Sequence, residues 1–224
     1  MMHQRKGKKI LIYLFIFIFL GSINNTALTK IKFKNIKNIT ISGLNEDENL
    51  NLLNDIQNLN LKNIFLINKN QISKIIDSNS LVEKYEIIKK YPHSLDIKII
   101  RTNFLAKIRI NGKIFLVGSN GKLSDIKFSD KDLPYIFGKP KIDEFIEFTD
   151  IIYKSKFSLN EIENLYFFPS KRWDLELKNK ITLKLSKDLT RFSLDEVFEI
   201  LNDNNFNDIR VVDARIKNQI ILND

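Results

Sequence analysis

The chain has 224 residues, with 36 Lys or Arg, 27 Asp or Glu, two His and no Cys. This length accommodates one or two domains, and the lack of Cys excludes disulfides and Cys-ligated metals. The formal net charge of +9 is concentrated at the N-terminus, since residues 1–30 hold five bases and no acid, against 31 bases and 27 acids in the remainder. A nucleic-acid-binding face would cluster its bases, so this distribution argues against a nucleic-acid partner.

The N-terminal segment has the pattern of a membrane-targeting sequence. Residues 1–9 are polar and basic, and the unbroken apolar run Ile10–Leu20 follows them. Only a helix over 10–29 would reach the ~30 Å thickness of the hydrocarbon core. We therefore predict a cytoplasmic tail over 1–9 and a transmembrane signal anchor over 10–29. A cleaved signal peptide is the alternative, although Asn25-Thr26-Ala27 matches the Ala-x-Ala cleavage pattern poorly.

Residues 34–103 predict the order strand, helix, helix, strand, strand. Apolar residues alternate with polar ones in the strands and recur every three or four positions in the helices. Asn45 and Glu48 form a capping box at the first helix, and Asn70 is predicted to cap the second. The predicted strands are Ile36–Ile41, Leu81–Lys90 and Leu95–Arg101.

Residues 104–224 predict a mostly β domain with two helices. Asn111-Gly112 is a strong hairpin signal, whereas Leu133–Gly138 is predicted to interrupt the sheet. Ile142–Tyr153 predicts one helix, and a capping box from Ser193 to Glu196 predicts the start of another. The predicted strands are Leu105–Ile110, Ile114–Val117, Leu123–Phe128, Glu163–Phe168, Arg172–Leu177, Lys180–Leu185, Ile209–Val212 and Arg215–Ile221.

The sequence offers no catalytic constellation. It has no phosphate-binding loop, and its adjacent acids, such as Asp143 and Glu144, are typical of a solvated surface. His93 is predicted in a turn and Trp173 in the core. We expect no cofactor, metal or small-molecule substrate, and a binding or scaffolding role is favoured over an envelope hydrolase that uses acid pairs such as Asp130 and Asp132.

The order of these features resembles the bacterial cell-division protein family FtsQ/DivIB. The resemblance implies an α+β fold with an N-terminal membrane anchor helix, a βααββ domain like POTRA (polypeptide-transport-associated) domains, and a mostly antiparallel β domain with two helices. The motifs that carry it are Ile39–Gly43, Ile72–Ile76, Leu81–Ile87, Lys90–Ile99, Asn111-Gly112, Asn120–Lys122, Leu133–Gly138, Trp173–Leu177 and Asp213–Arg215.

The family resemblance also implies a function. It implies a non-catalytic, single-pass protein of the bacterial inner membrane, with its N-terminus in the cytoplasm and its larger domains in the periplasm at the division septum. Members recruit the small coiled-coil proteins FtsB and FtsL, and through them the septal peptidoglycan synthase. The rival hypothesis is a POTRA-containing export or outer-membrane assembly factor, although 104–224 is too short for a large barrel.

A candidate binding site lies at the C-terminus. The resemblance implies that a partner peptide pairs with the last strand of the β domain, and C-terminal strands are often sheet edges with unpaired backbone groups. The candidate residues are Arg215, Ile216, Lys217, Asn218, Gln219, Ile220 and Ile221. In a strand, Arg215, Lys217 and Gln219 would share one face, and Arg215 could pair with an acidic partner residue. The alternative is an ordinary terminal strand with a solvated Arg215.

Overall fold

The computed structural model describes residues 3–23, 35–61, 63–65, 67–125, 132–203, 209–217 and 219–223. Its first element is helix α1, His3–Ile23. The apolar side chains of Ile10–Leu20 on this helix are between 44% and 78% exposed. Within the described ranges, none of the helices has both the length and the apolarity needed to cross a membrane. Residues 24–29 of the predicted anchor lie outside the described residues.

The predicted βααββ order is confirmed in the POTRA-like region. Strands β1 and β2 form the two edges of a three-stranded sheet and β3 is its centre, with β1 parallel and β2 antiparallel to β3. The elements are β1 Asn38–Ser42, α2 Glu46–Gln57, α3 Lys69–Ser78, β2 Val82–Lys90 and β3 Ser94–Arg101.

The two helices of this region begin at asparagine caps, one of which differs from the prediction. The Asn45 backbone N–H donates to Glu48 Oε2 at 3.1 Å, as the capping box predicts. The predicted cap Asn70 is wrong, because the side chain of Asn68 accepts the N–H of Asn70 at 3.0 Å. Asn68 has the extended backbone that a cap requires, so α3 begins at Lys69.

The C-terminal region is a nine-stranded mixed sheet with helices on one face. Its strand order is β12-β11-β10-β9-β8-β7-β4-β5-β6. Three of its pairings are parallel (β4–β7, β7–β8 and β10–β11) and the other five are antiparallel. The strands are β4 Phe104–Ile110, β5 Lys113–Gly118, β6 Leu123–Asp125, β7 Tyr135–Phe137, β8 Ile162–Phe167, β9 Trp173–Leu177, β10 Thr182–Leu185, β11 Val211–Ala214 and β12 Ile221–Asn223, and the helices are α4 Ile142–Lys154 and α5 Arg191–Leu201.

The predictions for Leu133–Gly138 and for the cap of the second helix are wrong. The segment Leu133–Gly138 does not interrupt the sheet, because β7 lies near its centre and Ile136 is only 2% exposed. Three residues are too few to produce a recognisable alternation. Helix α5 is capped by Thr190, whose side chain accepts the Ser193 N–H at 3.3 Å. The predicted cap Ser193 therefore lies at the third helical position.

Trp173 lies in the core of the nine-stranded sheet, as predicted. It is 6% exposed, and its ring centroid lies 4.7 Å from that of Phe148, 4.8 Å from that of Phe167 and 6.1 Å from that of Phe145. Phe145 and Phe148 lie on α4, so this helix is held to the sheet largely by aromatic contacts.

Polar side chains join the two sheets where β3 passes into β4. Glu83 Oε2 accepts hydrogen bonds from the hydroxyls of Thr102 at 3.0 Å and Ser119 at 2.8 Å. Asn120 Nδ2 donates to the carbonyl oxygens of Ser80 and Val82, both at 2.9 Å. These bonds fix the strand β2 against the turn that follows β5.

Candidate partner-binding edge

The last two strands form one margin of the nine-stranded sheet. Strand β11 is paired on both sides, with β10 and with β12. Strand β12, Ile221–Asn223, has a strand neighbour on one side only among the described residues. The structure therefore places a sheet edge at the C-terminus, but this edge is three residues long.

The prediction of a continuous strand over Arg215–Ile221 is wrong. The Asp213 carboxylate accepts the backbone N–H of Arg215 at 3.2 Å, a side-chain turn that ends β11 at Ala214. The chain then turns, and the Gln219 N–H donates to the Ile216 carbonyl at 3.2 Å. The spacing of an aspartate two residues before the arginine was the signal for this turn.

The candidate residues are accordingly divided between a turn and the edge. Arg215, Ile216, Lys217 and Gln219 are exposed in the connection, so the predicted alternation of their faces does not occur. Asn218 lies outside the described residues, Ile220 is half-buried, and Ile221 is the first residue of β12. Sequence reasoning missed the other two edge residues, Leu222 and Asn223.

The free side of β12 is identified by one hydrogen bond. The Asn223 carbonyl accepts the Arg210 N–H at 3.0 Å and therefore points toward β11. Because the backbone groups of successive strand residues point to alternate sides, the N–H and C=O of Leu222 point away from the sheet. Leu222 thus offers a donor and an acceptor to an added strand, while its side chain packs against the core.

A groove of about 390 Å³ adjoins this edge, between the start of α5 and the turn. Phe192 on one wall is 74% exposed and Ile216 on the other is 56% exposed. Asp188 and Glu196 add acidic groups to the same groove. The groove could take an apolar side chain of a partner lying along β12.

Arg215 is engaged within the chain rather than presented alone. Its Nε donates to Asp213 Oδ1 at 2.8 Å and to Oδ2 at 3.0 Å. The hydrogen bonds from Arg215 lower the pKa of Asp213, even though its partial burial opposes this. An acidic partner residue would have to displace Asp213, which limits what Arg215 can add to binding.

The pKa of a second carboxylate, that of Asp174, is shifted in the opposite direction. Asp174 on β9 and Asp213 on β11 flank Lys184 on β10. Burial raises the pKa of Asp174, although Arg172 Nε lies 3.4 Å from its Oδ1. This contact lacks the geometry of a hydrogen bond, so the ion pair compensates the burial only in part.

Other residues considered in the sequence have structural roles. Glu144 Oε2 accepts the Lys141 backbone N–H at 3.0 Å at the start of α4, and Glu144 also pairs with Lys171 at 3.2 Å. Asp130 lies outside the described residues. In the part of the chain that the structure describes, no three His, Cys, Asp or Glu residues are grouped as they would be around a metal.

Comparison with known proteins agrees with this architecture. A family model described as "POTRA domain, FtsQ-type" matches residues 34–100. The cell division protein DivIB of Clostridium botulinum (strain Loch Maree / Type A3) is 30% identical over 134 residues, which are 59% of this chain and 52% of that protein. The cell division protein FtsQ of Rickettsia typhi is 24% identical over 198 residues, which are 87% of this chain and 74% of that protein. The chain is therefore similar to proteins of the FtsQ/DivIB family, and residues 34–100 match its type of POTRA domain.

The match to the clostridial FtsQ/DivIB relative spans about half the length of that protein. A solved structure, the major extracytoplasmic domain of DivIB from Geobacillus stearothermophilus, has 17% identity and a TM-score of 0.30 and covers 36% of this chain and 75% of that chain. The FtsQ-type POTRA match over 34–100 falls on the βααββ part of the chain.

Proposed function

We propose that this protein is an FtsQ/DivIB-type, non-catalytic scaffold of the bacterial division machinery. In this proposal it is anchored in the inner membrane by residues 10–29, with both sheets in the periplasm at the septum. It holds partners of the FtsB/FtsL type, and through them the septal peptidoglycan synthase, by adding a partner strand to β12. The names of its relatives, all cell division proteins, favour this role over an export or assembly factor.

The outward backbone groups of Leu222 are the observation that carries the binding mode. A net contribution of about 0.5–1.5 kcal/mol per hydrogen bond makes a three-residue edge a weak site by itself. Burial of apolar surface contributes roughly 25 cal/mol per Å², so a side chain placed between Phe192 and Ile216 would add materially to affinity. The edge would then set the register of the partner and the groove would supply much of the stabilisation.

The exposed apolar run on α1 supports the membrane anchor. Eleven consecutive apolar residues, Ile10–Leu20, favour insertion by about 3–7 kcal/mol. The basic residues before this run favour retention of the N-terminus in the cytoplasm. In the proposal, the anchor keeps the edge strand within reach of membrane-bound partners.

The experiment compares two changes of one residue in the full chain. Leu222→Pro removes the outward N–H, whereas Leu222→Ala loses comparable packing but keeps that N–H. We expect FtsB/FtsL-type partners to co-purify from crosslinked membranes with the alanine variant and to be lost, by about tenfold or more, with the proline variant. Trp173 fluorescence checks that both variants keep the folded sheet.

Equal partner recovery with the two variants would refute strand addition at β12. A chain that remains in the soluble fraction after cell lysis would refute the anchor. A fluorescent fusion spread around the whole envelope, rather than at midcell, would contradict the division role.

A further inference from the structure

We propose that one end of the POTRA domain rests on an anionic phospholipid surface. This basic end comprises Ile36 and Lys37, Phe65, Lys69, and the β2–β3 turn with its preceding lysines, Lys89–His93. The inference rests on the proposed membrane anchor, because it concerns how the anchored domain sits on its own membrane. It goes beyond the partner edge, which lies on the other sheet.

Three separate segments meet at the basic end. The Lys37 N–H, just before β1, donates to the His93 carbonyl in the β2–β3 turn at 2.9 Å. The ring centroids of Phe65 and Tyr91 lie 4.9 Å apart, which brings the loop between α2 and α3 to the same place. These contacts make the basic end a continuous surface.

The surface combines exposed aromatic rings with exposed lysines. Phe65 is 52% exposed and Tyr91 is 60% exposed, although folding usually buries such large rings. Lys37, Lys69 and Lys90 are exposed beside them. Aromatic rings at headgroup depth, flanked by lysines, are the combination found where proteins meet a membrane interface.

The charge of the POTRA domain is divided between its two ends. The sequences 35–38, 58–69 and 89–94, which supply the basic end, contain no acidic residue. Asp96, two residues after the last of these segments, pairs with Lys90. At the opposite end, the first turn of α2 holds three consecutive acids, Glu46–Glu48. An anionic surface would attract the first end and repel the second.

The course of the chain places the basic end toward the membrane. Residue 35 enters the POTRA domain at this end, just before β1. Eleven residues, 24–34, separate it from the end of α1. A chain of that length spans at most about 40 Å, so an inserted α1 would keep the basic end near the lipid headgroups.

The test uses the full chain in vesicles, and the absence of Cys makes single-site labelling direct. A fluorophore is attached through Gln71→Cys, in the first turn of α3 near the basic end, or through Ser42→Cys, at the far end of β1. The vesicles contain phosphatidylglycerol with phosphatidylcholine, or phosphatidylcholine alone, and a headgroup-attached spin label acts as quencher. We expect the Gln71 probe to be quenched roughly threefold more than the Ser42 probe in anionic vesicles, and this difference to fall strongly in neutral ones.

Charge reversal at the basic end supplies the matched comparison. The combined change Lys37→Glu, Lys69→Glu and Lys89→Glu should reduce docking by more than tenfold, since each lysine near an anionic surface changes binding by roughly fivefold. The control has the same net charge, with Lys74→Glu, Lys84→Glu and Lys98→Glu elsewhere on the domain, and should retain most of the quenching difference.

The outcomes separate this inference from the proposed function. Failure of the chain to float with vesicles would overturn both. Flotation with equal quenching of the two probes, or equal effects of the two charge reversals, would overturn the lipid contact while leaving the anchor and the partner edge intact. In that case the exposed Phe65 and Tyr91 would be available to a protein partner instead.

Discussion

The two sheets of this molecule are stabilised by different kinds of core. Among the described residues, the ten that are buried in the POTRA core are all aliphatic, for example Ile56, Ile72 and Ile97. The core of the nine-stranded sheet is also mainly aliphatic but includes an aromatic group, in which Trp173 contacts three phenylalanines. The aromatic group joins β8 and β9 to α4, and the buried core of the POTRA domain has no counterpart to it among the described residues.

This difference predicts where each region is most sensitive to substitution. A large ring that is removed leaves a larger cavity than an aliphatic side chain does, and the cost grows with cavity volume. The single tryptophan also lies in the larger sheet, so its fluorescence reports on that sheet and not on the POTRA core.

The largest expected effect comes from Trp173→Ala. It should lower the free energy of unfolding of the nine-stranded sheet by about 3–5 kcal/mol, because the contacts with Phe145, Phe148 and Phe167 are all lost. Urea unfolding of the full chain in detergent, followed by circular dichroism, measures this loss. Trp173→Phe should cost less than half as much, and an equal cost would contradict a ring-centred core.

The corresponding change in the POTRA core is Ile76→Ala. Ile76 is fully buried, so we expect a loss of about 2–4 kcal/mol. Because the two cores are separate clusters, the transition followed by Trp173 fluorescence should move by less than about 0.5 kcal/mol. A larger shift of the tryptophan transition would show that the two regions unfold as one unit.

The junction between the sheets gives a smaller effect. Asn120→Ala removes two hydrogen bonds to carbonyl oxygens of Ser80–Val82 and should cost about 1–3 kcal/mol. The unfolding transitions of the POTRA domain and of the nine-stranded sheet should also become less coupled. Ser119→Ala removes one hydrogen bond to Glu83, so we expect it to lower the free energy of unfolding by less than Asn120→Ala does. No change with either variant would mean that the junction contributes nothing to coupling.

The smallest expected effects on stability come from Asp174 and Asp213, the two carboxylates that flank Lys184. Ionisation of Asp213 stabilises the fold, whereas ionisation of Asp174 destabilises it. The pKa of Asp213 is lowered by Arg215, so its contribution to stability is present at neutral pH and is lost as pH falls below the ordinary value of 3.8. Asp213→Asn should therefore cost less than about 1 kcal/mol at pH 7. Burial raises the pKa of Asp174, so its ionisation destabilises the fold above that value and Asp174→Asn should not destabilise at pH 7. The effect of Asp174→Asn should fade as pH drops to about the ordinary value of 3.8, whereas that of Asp213→Asn should fade only at lower pH, and equal signs at pH 7 would contradict the assignment.

The sequence predicted long, regular elements better than short ones. The five POTRA elements and the Asn111-Gly112 hairpin followed from periodicity and turn residues, and positive φ at both turn residues accounts for the hairpin signal. β7 was missed because its place is set by pairing with β4 and β8, which are distant in the sequence. Local pattern cannot report such pairing.

Partner binding at the C-terminus stays a prediction, and the structure bears only on the form of the chain there. The expectation of a C-terminal edge was correct in that β12 lies at the margin of the sheet. The extended assignment of Arg215–Ile221 failed because the side chain of Asp213 competes for the backbone and forms a turn. The groove beside Phe192 and Ile216 joins segments far apart in the chain, and no sequence signal could have indicated it.

Backbone hydrogen exchange at β12 tests the central claim most directly. In the free chain, the Leu222 amide points away from the sheet, whereas the Ile221 amide points toward β11. Addition of an FtsB/FtsL-type partner should slow exchange at Leu222 and leave Ile221 nearly unchanged. Partner binding with no new protection at Leu222 would contradict strand addition at this edge.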